Sequence, residues 1–223
     1  MGSFKNVVVA DLVIESVAEN EAEKTAFYKQ LATCPPEKAV LVTNSSTFLP
    51  SQFAKYTGRP EKYLSLHFAN SIWKNNIAEI MPHPGTHEQY FDQVMEFAEE
   101  IRMISLPVRK EKAGYLLNSM LVPFLFSGMD LVANGISDPE SVDKAWTLGT
   151  GAPRGPFQII DIVGLNTAYN IAEQYQKVPG LVKPLLKKMM FPYNFEGIKQ
   201  MLKKYIDEGK LGVSTGEGFY KYS

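Results

Sequence analysis

His67 and Glu79 are the two residues whose types and spacing point most directly to chemistry. An imidazole gains and loses a proton near neutral pH. A carboxylate beside it fixes which ring nitrogen carries the proton and stabilises the charged ring. Both lie in the stretch KYLSLHFANSIWKNNIAEIM, residues 62–81. Tyr63, Ser65 and His67 alternate with Leu64, Leu66 and Phe68, the period of a strand packed on both faces. Glu79 sits between Ala78 and Ile80, an acid inside a second apolar strand. The pattern predicts a ring at the end of one strand and an acid in the next, meeting across a cleft as a general acid–base pair. Spacing alone leaves a structural or solvated pair open, which is the commoner fate of two such residues.

Asn44-Ser45-Ser46-Thr47 follows an apolar run, Ala39 to Thr43, that reads as a buried strand. Hydroxyls at the carboxyl end of a strand stand where open α/β sheets bind ligands. The alternative is a set of turn-formers satisfying the backbone. Ser46 and His67 would both lie at carboxyl ends of strands in one sheet, so they can converge. His83 and His87 have a helical metal-ligand spacing, but Pro84-Gly85 between them breaks the helix, and no metal is expected. Cys34 lies beside Pro35-Pro36 with no histidine near it in the chain and reads as a bystander. Gly149/Gly151 and Gly216/Gly218 are not dinucleotide fingerprints: Arg154 and Lys221 stand where a third glycine belongs, and neither pair joins a strand to a helix. Lys183, Lys187, Lys188, Lys199, Lys203 and Lys204 read as a solvated helix face.

The elements that must position these groups follow from periodicity. Residues 10–16 and 39–43 read as buried strands, 19–31 as a helix between them, and 49–56 as a short helix. Beyond the central strands, Thr86 and Gln89 suggest a capping box. The helix that follows puts Phe91, Val94, Met95, Ala98 and Ile101 on one stripe, and residues 103–108 form a last strand. Alternating strands and helices imply a mainly parallel sheet with helices on its faces. Arg109 to Lys112 is a polar hinge. After it the pattern is helical: 114–134 with Pro123 inside, a helix opened by Asp138-Pro139, one or two across 157–175 broken near Gly164, then 184–190 and 195–208. The fold class is α/β, a truncated Rossmann-like sheet over residues 1–109 followed by an all-α domain over 113–223.

Composition limits the function classes. An apolar fraction of 45% and a charged fraction of 21% are those of a soluble globular protein. A net charge of −1 argues against a nucleic-acid partner. One cysteine excludes an internal disulfide framework and suits a reducing, cytoplasmic setting. Residues 1–8 lack the apolar core of a secretory signal. The most apolar stretch, 115–132, contains Asn118, Ser119, Pro123, Ser127 and Asp130, too many polar groups for a membrane span.

Six segments in order carry a family likeness: ADLVIESVAEN (10–20), TNSS (43–46), LHFAN with AEI (66–70, 78–80), GYLLNSMLVPF (114–124), GAPRGPFQIIDIVGL (151–165) and TGEGFYKY (215–222). On them the chain resembles the L-3-hydroxyacyl-CoA dehydrogenases, the 3-hydroxybutyryl-CoA type in particular, from Ala10 to Tyr222. The resemblance implies an NAD-dependent oxidoreductase interconverting a 3-hydroxyacyl-CoA and a 3-ketoacyl-CoA. It implies that His67 is the catalytic base and Glu79 its paired acid. It gives Ser46 and Asn118 the substrate oxygens, and Glu19, Lys24 and Asn70 contacts to the cofactor's ribose and nicotinamide. It makes the helical half a dimerisation domain and the chain a homodimer.

The sequence departs from the family pattern in three places. The opening βαβ unit, with its glycine-rich phosphate turn, is absent from it. Val213-Ser214 replaces a lysine before the TGEGFY turn, and Ala69-Asn70-Ser71 replaces the usual loop after the histidine. Two functions therefore remain in view: the dehydrogenase, and a non-catalytic relative that serves as a dimeric acyl-CoA-binding or interaction module.

Overall fold

The computed structural model describes residues 10–33, 38–176 and 193–222. It divides into two compact units, Met1–Ser119 and Met120–Ser223. Cys34, Pro35-Pro36 and the helix expected at 184–190 lie outside the described residues.

The first unit is built on one five-stranded sheet whose spatial order follows the chain. Its strands are β1 Leu12–Glu15, β2 Val40–Thr43, β3 Tyr63–Phe68, β4 Ile77–Pro82 and β5 Ile104–Pro107. Helix α1, Glu21–Leu31, joins β1 to β2, and α2, Glu88–Glu100, joins β4 to β5. β1, β2 and β3 are mutually parallel, and β5 is parallel to β4. β4 runs antiparallel to β3. Residues 69–76, which join them, are too few for a crossover and can only reverse the chain. The expected short helix at 49–56 is instead two 3₁₀ turns, Pro50–Gln52 and Ala54–Tyr56.

Side-chain alternation sorts the sheet into two buried faces. Val40, Val42, Leu64, Leu66, Ala78 and Ile80 pack with Val94, Ala98 and Met103, so α2 covers this side. Tyr28, Leu31, Leu41, Phe53, Ala54 and Tyr63 form the core on the other side, under α1. His67 and Glu79 share parity with Tyr63, so they fall on the α1 side. Asn20 caps α1 by accepting the Glu23 N–H at 3.0 Å. The box expected from Thr86 and Gln89 does not form. His87 is the N-cap without a side-chain bond. The Thr86 hydroxyl is taken up between the His83 N–H and the Tyr63 carbonyl.

The second unit is helical among its described residues. It contains most of α3 Leu117–Ala133, then α4 Pro139–Thr150, α5 Pro156–Val163, α6 Leu165–Gln176 and α7 Phe195–Asp207. Its core joins Leu125, Phe126 and Met129 of α3 to Phe157 and Ile160 of α5 and to Ile198 and Leu202 of α7. The Asp138-Pro139 start holds, with Asp138 accepting the Ser141 N–H at 2.9 Å.

Two buried aspartates tie this core together. Asp143 of α4 accepts the Phe157 and Gln158 N–H groups at 2.8 and 2.9 Å, and so caps α5 from a neighbouring helix. Asp161 of α5 accepts Phe219 N–H, Tyr220 N–H and Tyr222 Oη–H at 2.9, 2.9 and 2.8 Å. The carboxylate pins the end of the chain. Gly218 is required there, because a Cβ would stand 2.1 Å from Asp161 Oδ1.

Candidate active site

His67 and Glu79 are directly opposed residues of the antiparallel β3–β4 pair, not partners across a cleft. Opposed residues project from the same face with Cβ atoms roughly 5 Å apart, which lets the side chains meet. His67 Nδ1 lies 3.0 Å from Glu79 Oε2. The other ring nitrogen, Nε2, lies 3.0 Å from Ser46 Oγ. A residue from the turn after β2, one near the end of β3 and one within β4 thus form one line, Ser46–His67–Glu79.

Glu79 is 1% exposed and His67 5%, whereas Ser46 faces solvent. The relay is closed at the acid and open at the hydroxyl. Burial works against a charge on Glu79. The hydrogen bond from His67 and those from the Leu117 and Leu116 N–H groups, at 2.9 and 2.8 Å to Oε1, outweigh it and hold the carboxyl below its ordinary value of 4.5. An ionised Glu79 can only accept, so Nδ1 carries a proton. The neutral ring then presents the Nε2 lone pair towards Ser46.

The two amides that reach Glu79 come from a turn the sequence did not reveal. Gly114 and Tyr115 have φ of +80° and +52°. A left-handed tyrosine costs about 1–2 kcal/mol, and the turn it makes directs the next two N–H groups at the acid. Tyr115 itself is buried against His67. The two rings are stacked, with centroids 4.4 Å apart and 11° between planes. The Tyr115 hydroxyl donates to the Ser45 carbonyl at 2.7 Å. Burial pushes its phenol well above the usual range, so it stays a neutral donor.

The Ser45–Ser46 turn is held from a second side by Glu19. Its carboxylate accepts Ser45 Oγ–H at 2.9 Å and Ser46 N–H at 3.2 Å. Lys24 is 1% exposed and spends its ammonium inside the fold, on Glu15 at 2.9 Å and the Val17 carbonyl at 3.2 Å. It reaches the site only through Glu19, 3.8 Å away. Asn44 Oδ1 accepts the Phe68 N–H at 3.0 Å and fixes the end of β3 beside this turn. Asn70 is exposed in the loop three residues past the base. Asn118, half-buried, follows directly on the two amides that bind Glu79. Neither asparagine side chain joins the relay.

The other candidates have structural roles. His83 accepts the Gly85 N–H at Nδ1 and directs Nε2 to the Pro60 carbonyl, at 3.0 and 2.9 Å. Among the described residues no group of three or more His, Cys, Asp or Glu side chains is placed to hold a metal ion. An apolar hollow of about 450 Å³ in the second unit is lined by Phe124, Leu131, Val142, Trp146 and small residues, without an acid or a base.

Residues 2–112 match the family model described as 3-hydroxyacyl-CoA dehydrogenase, NAD binding domain, and residues 114–222 match its C-terminal domain. The chain belongs to the 3-hydroxyacyl-CoA dehydrogenase family. NAD is the cofactor of that family. The human mitochondrial hydroxyacyl-coenzyme A dehydrogenase is 30% identical over 212 residues, 95% of this chain and 64% of the human protein. A probable 3-hydroxybutyryl-CoA dehydrogenase of Bacillus subtilis is 31% identical, over 96% of this chain and 70% of the relative. The chain thus spans about two thirds of the length of these relatives. Among solved structures, a diketoreductase described as acting on dicarbonyl compounds is 50% identical with a TM-score of 0.87, covering 97% of this chain and 71% of that one. FadB2 of M. tuberculosis is 29% identical with a TM-score of 0.80, over 99% of this chain and 74% of FadB2. No described helix is long and apolar enough to cross a membrane.

Proposed function

We propose that this family member is an NAD-dependent dehydrogenase that interconverts a 3-hydroxyacyl-CoA and the 3-ketoacyl-CoA, with His67 as acid–base catalyst and Glu79 as its partner. The relay Ser46–His67–Glu79, with the acid held ionised by two backbone amides, is the observation that carries the reading.

In the oxidative direction His67 Nε2 takes the proton of the 3-hydroxyl while a hydride leaves C3. In the reductive direction the same nitrogen returns it. Glu79 stabilises the imidazolium that forms in between. Ser46 and Asn118 would hold the substrate oxygens and orient the alcohol carbon for the transfer. NAD, when bound, supplies that acceptor. The described residues suit its nicotinamide–ribose end. Glu19 offers a carboxylate 41% exposed beside Ser46, with Lys24 behind it, and Asn70 lies in the loop that follows the strand of the base. The first turn of α1 carries Glu21 and Glu23 and is no seat for the pyrophosphate.

The 50% identity to a diketoreductase supports a second reading of the substrate, a dicarbonyl compound without CoA. The same relay would serve it, since only the group beyond the carbonyl differs. The test is loss of NADH absorbance with purified chain and either acetoacetyl-CoA or acetylacetone. The first reading expects turnover with the thioester; turnover of acetylacetone alone replaces it with the second. No turnover with either, together with no calorimetric heat from acetoacetyl-CoA, would leave a pure interaction module. In the active case, His67→Gln lowers kcat by roughly 10²–10⁴-fold. An unchanged rate would remove His67 from the reaction.

The reading extends to a cytoplasmic homodimer formed through the helical half. Its support is exposed apolar surface there, with Met120 68%, Leu148 83% and Ile162 54% exposed.

A further inference from the structure

We infer that Tyr115 is a positioning residue that holds both members of the Ser46–His67 contact, the imidazole through its ring and the serine turn through its hydroxyl. The inference rests on the dehydrogenase reading for its kinetic consequence, but its geometric content stands apart from that reading.

One side chain touches both sides of the reacting pair. The Tyr115 ring lies parallel to His67 at 4.4 Å and so blocks rotation of the imidazole towards that side. Rotation is the motion that would break the Nδ1–Glu79 and Nε2–Ser46 contacts together, because the two nitrogens sit on opposite edges of one rigid ring. The hydroxyl binds the carbonyl of Ser45, the residue immediately before Ser46. Glu19 grips the same turn through Ser45 Oγ and Ser46 N. Between them the two anchors fix the backbone that carries the Ser46 hydroxyl. Tyr115 is itself held by the left-handed Gly114-Tyr115 turn, whose following amides bind Glu79. Acid, base and serine are therefore indexed to one short segment.

The burial of Tyr115, at 1% exposure, keeps it from touching substrate directly. Its influence must pass through His67 and Ser45. A phenylalanine at this position would keep the stack and lose only the tether, whereas a leucine would lose both. The two functions of the side chain can thus be separated.

The experiment uses the full chain with His67 ring signals assigned by loss in His67→Gln. The stacked tyrosine should move the His67 ring protons upfield. Tyr115→Phe should retain that shift and Tyr115→Leu should abolish it, whether or not the chain turns over any substrate. In acetoacetyl-CoA reduction, Tyr115→Phe should lower kcat by roughly 3- to 10-fold, the scale of one net hydrogen bond, with KM for NADH within about two-fold. Tyr115→Leu should lower it further. Ring protons indifferent to Tyr115→Leu would overturn the stacking half of the inference. A Tyr115→Phe variant with wild-type kcat would overturn the tether. If Tyr115→Leu does not fold, Tyr115→Phe alone decides the tether, and Tyr115→Met replaces leucine in the spectroscopic arm. A chain inactive with every carbonyl substrate but with the expected ring shifts would sink the dehydrogenase reading and leave the stack standing.

Discussion

On the proposed dehydrogenase reading, Glu79 determines which nitrogen of His67 is free to act, and that role is separable from its charge at acid pH. In Glu79→Gln an amide N–H₂ would face Nδ1 and favour the other tautomer, with the proton on Nε2. The ring then meets the substrate hydroxyl with a donor where it needs a lone pair. The comparable change in a serine–histidine–aspartate triad costs about 10⁴-fold in kcat, and a loss of roughly 10²–10⁴-fold is expected here with the circular dichroism spectrum unchanged. The stability consequence has a definite sign. The folded carboxyl lies below its ordinary value of 4.5, so its contribution is fully present above that value. It is lost as pH falls through the lower folded value. Urea melts of wild type and Glu79→Gln should differ most at neutral pH and converge as pH falls below the ordinary carboxyl value and through the lower folded one. A gap that widens on acidification would show that burial, not the three hydrogen bonds, dominates the acid.

At the scale of elements, the second unit depends on carboxylates standing in for caps. Asp161 satisfies two backbone amides of the final turn and the Tyr222 hydroxyl, and burial pushes that phenol above its usual range. Asp161→Ala would leave two half-buried N–H groups without their acceptor and should cost about 1–3 kcal/mol in chemical denaturation. Gly218→Ala tests the same joint sterically. Its Cβ would collide with Asp161 Oδ1, and a loss of about 1–3 kcal/mol is expected. Gly149→Ala is the control. It lies within α4 with nothing inside 4 Å of an added Cβ, and it should be neutral or slightly stabilising. Equal effects at positions 149 and 218 would mean that the Asp161 joint does not restrain the terminal turn.

For the whole molecule, the test is mass in solution. The homodimer reading expects twice the chain mass of 25.0 kDa in light scattering. Leu148→Asp, at a site 83% exposed, should shift the species towards the monomer without lowering the melting temperature of dilute protein. A monomer at all concentrations would refute the reading.

Periodicity and spacing alone determined much of this molecule. Alternation in 63–68 and the runs at 39–43 and 76–80 specify buried strands, because a side-chain period of two leaves few other ways to hide both faces. Asp138-Pro139 marked a helix start and Gly164 a break for local reasons, a cap and a residue free to leave the helix. Ser46, His67 and Glu79 stood out by residue type and by their places at strand ends and within a strand, and the family resemblance gave them their roles. Tertiary structure alone decided the rest, because hydrogen-bond partners across the fold leave no mark on local sequence. Only the β3–β4 register places His67 opposite Glu79. Only the turn at 114–115 sends two amides to that acid, and only packing lays Tyr115 against the imidazole. The resemblance implied a cofactor contact for Lys24, and only the fold shows its ammonium on Glu15 and the Val17 carbonyl with Glu19 3.8 Å away. Each of these contacts spans seven or more residues or turns on a left-handed backbone, and none is encoded by the pattern of polar and apolar neighbours.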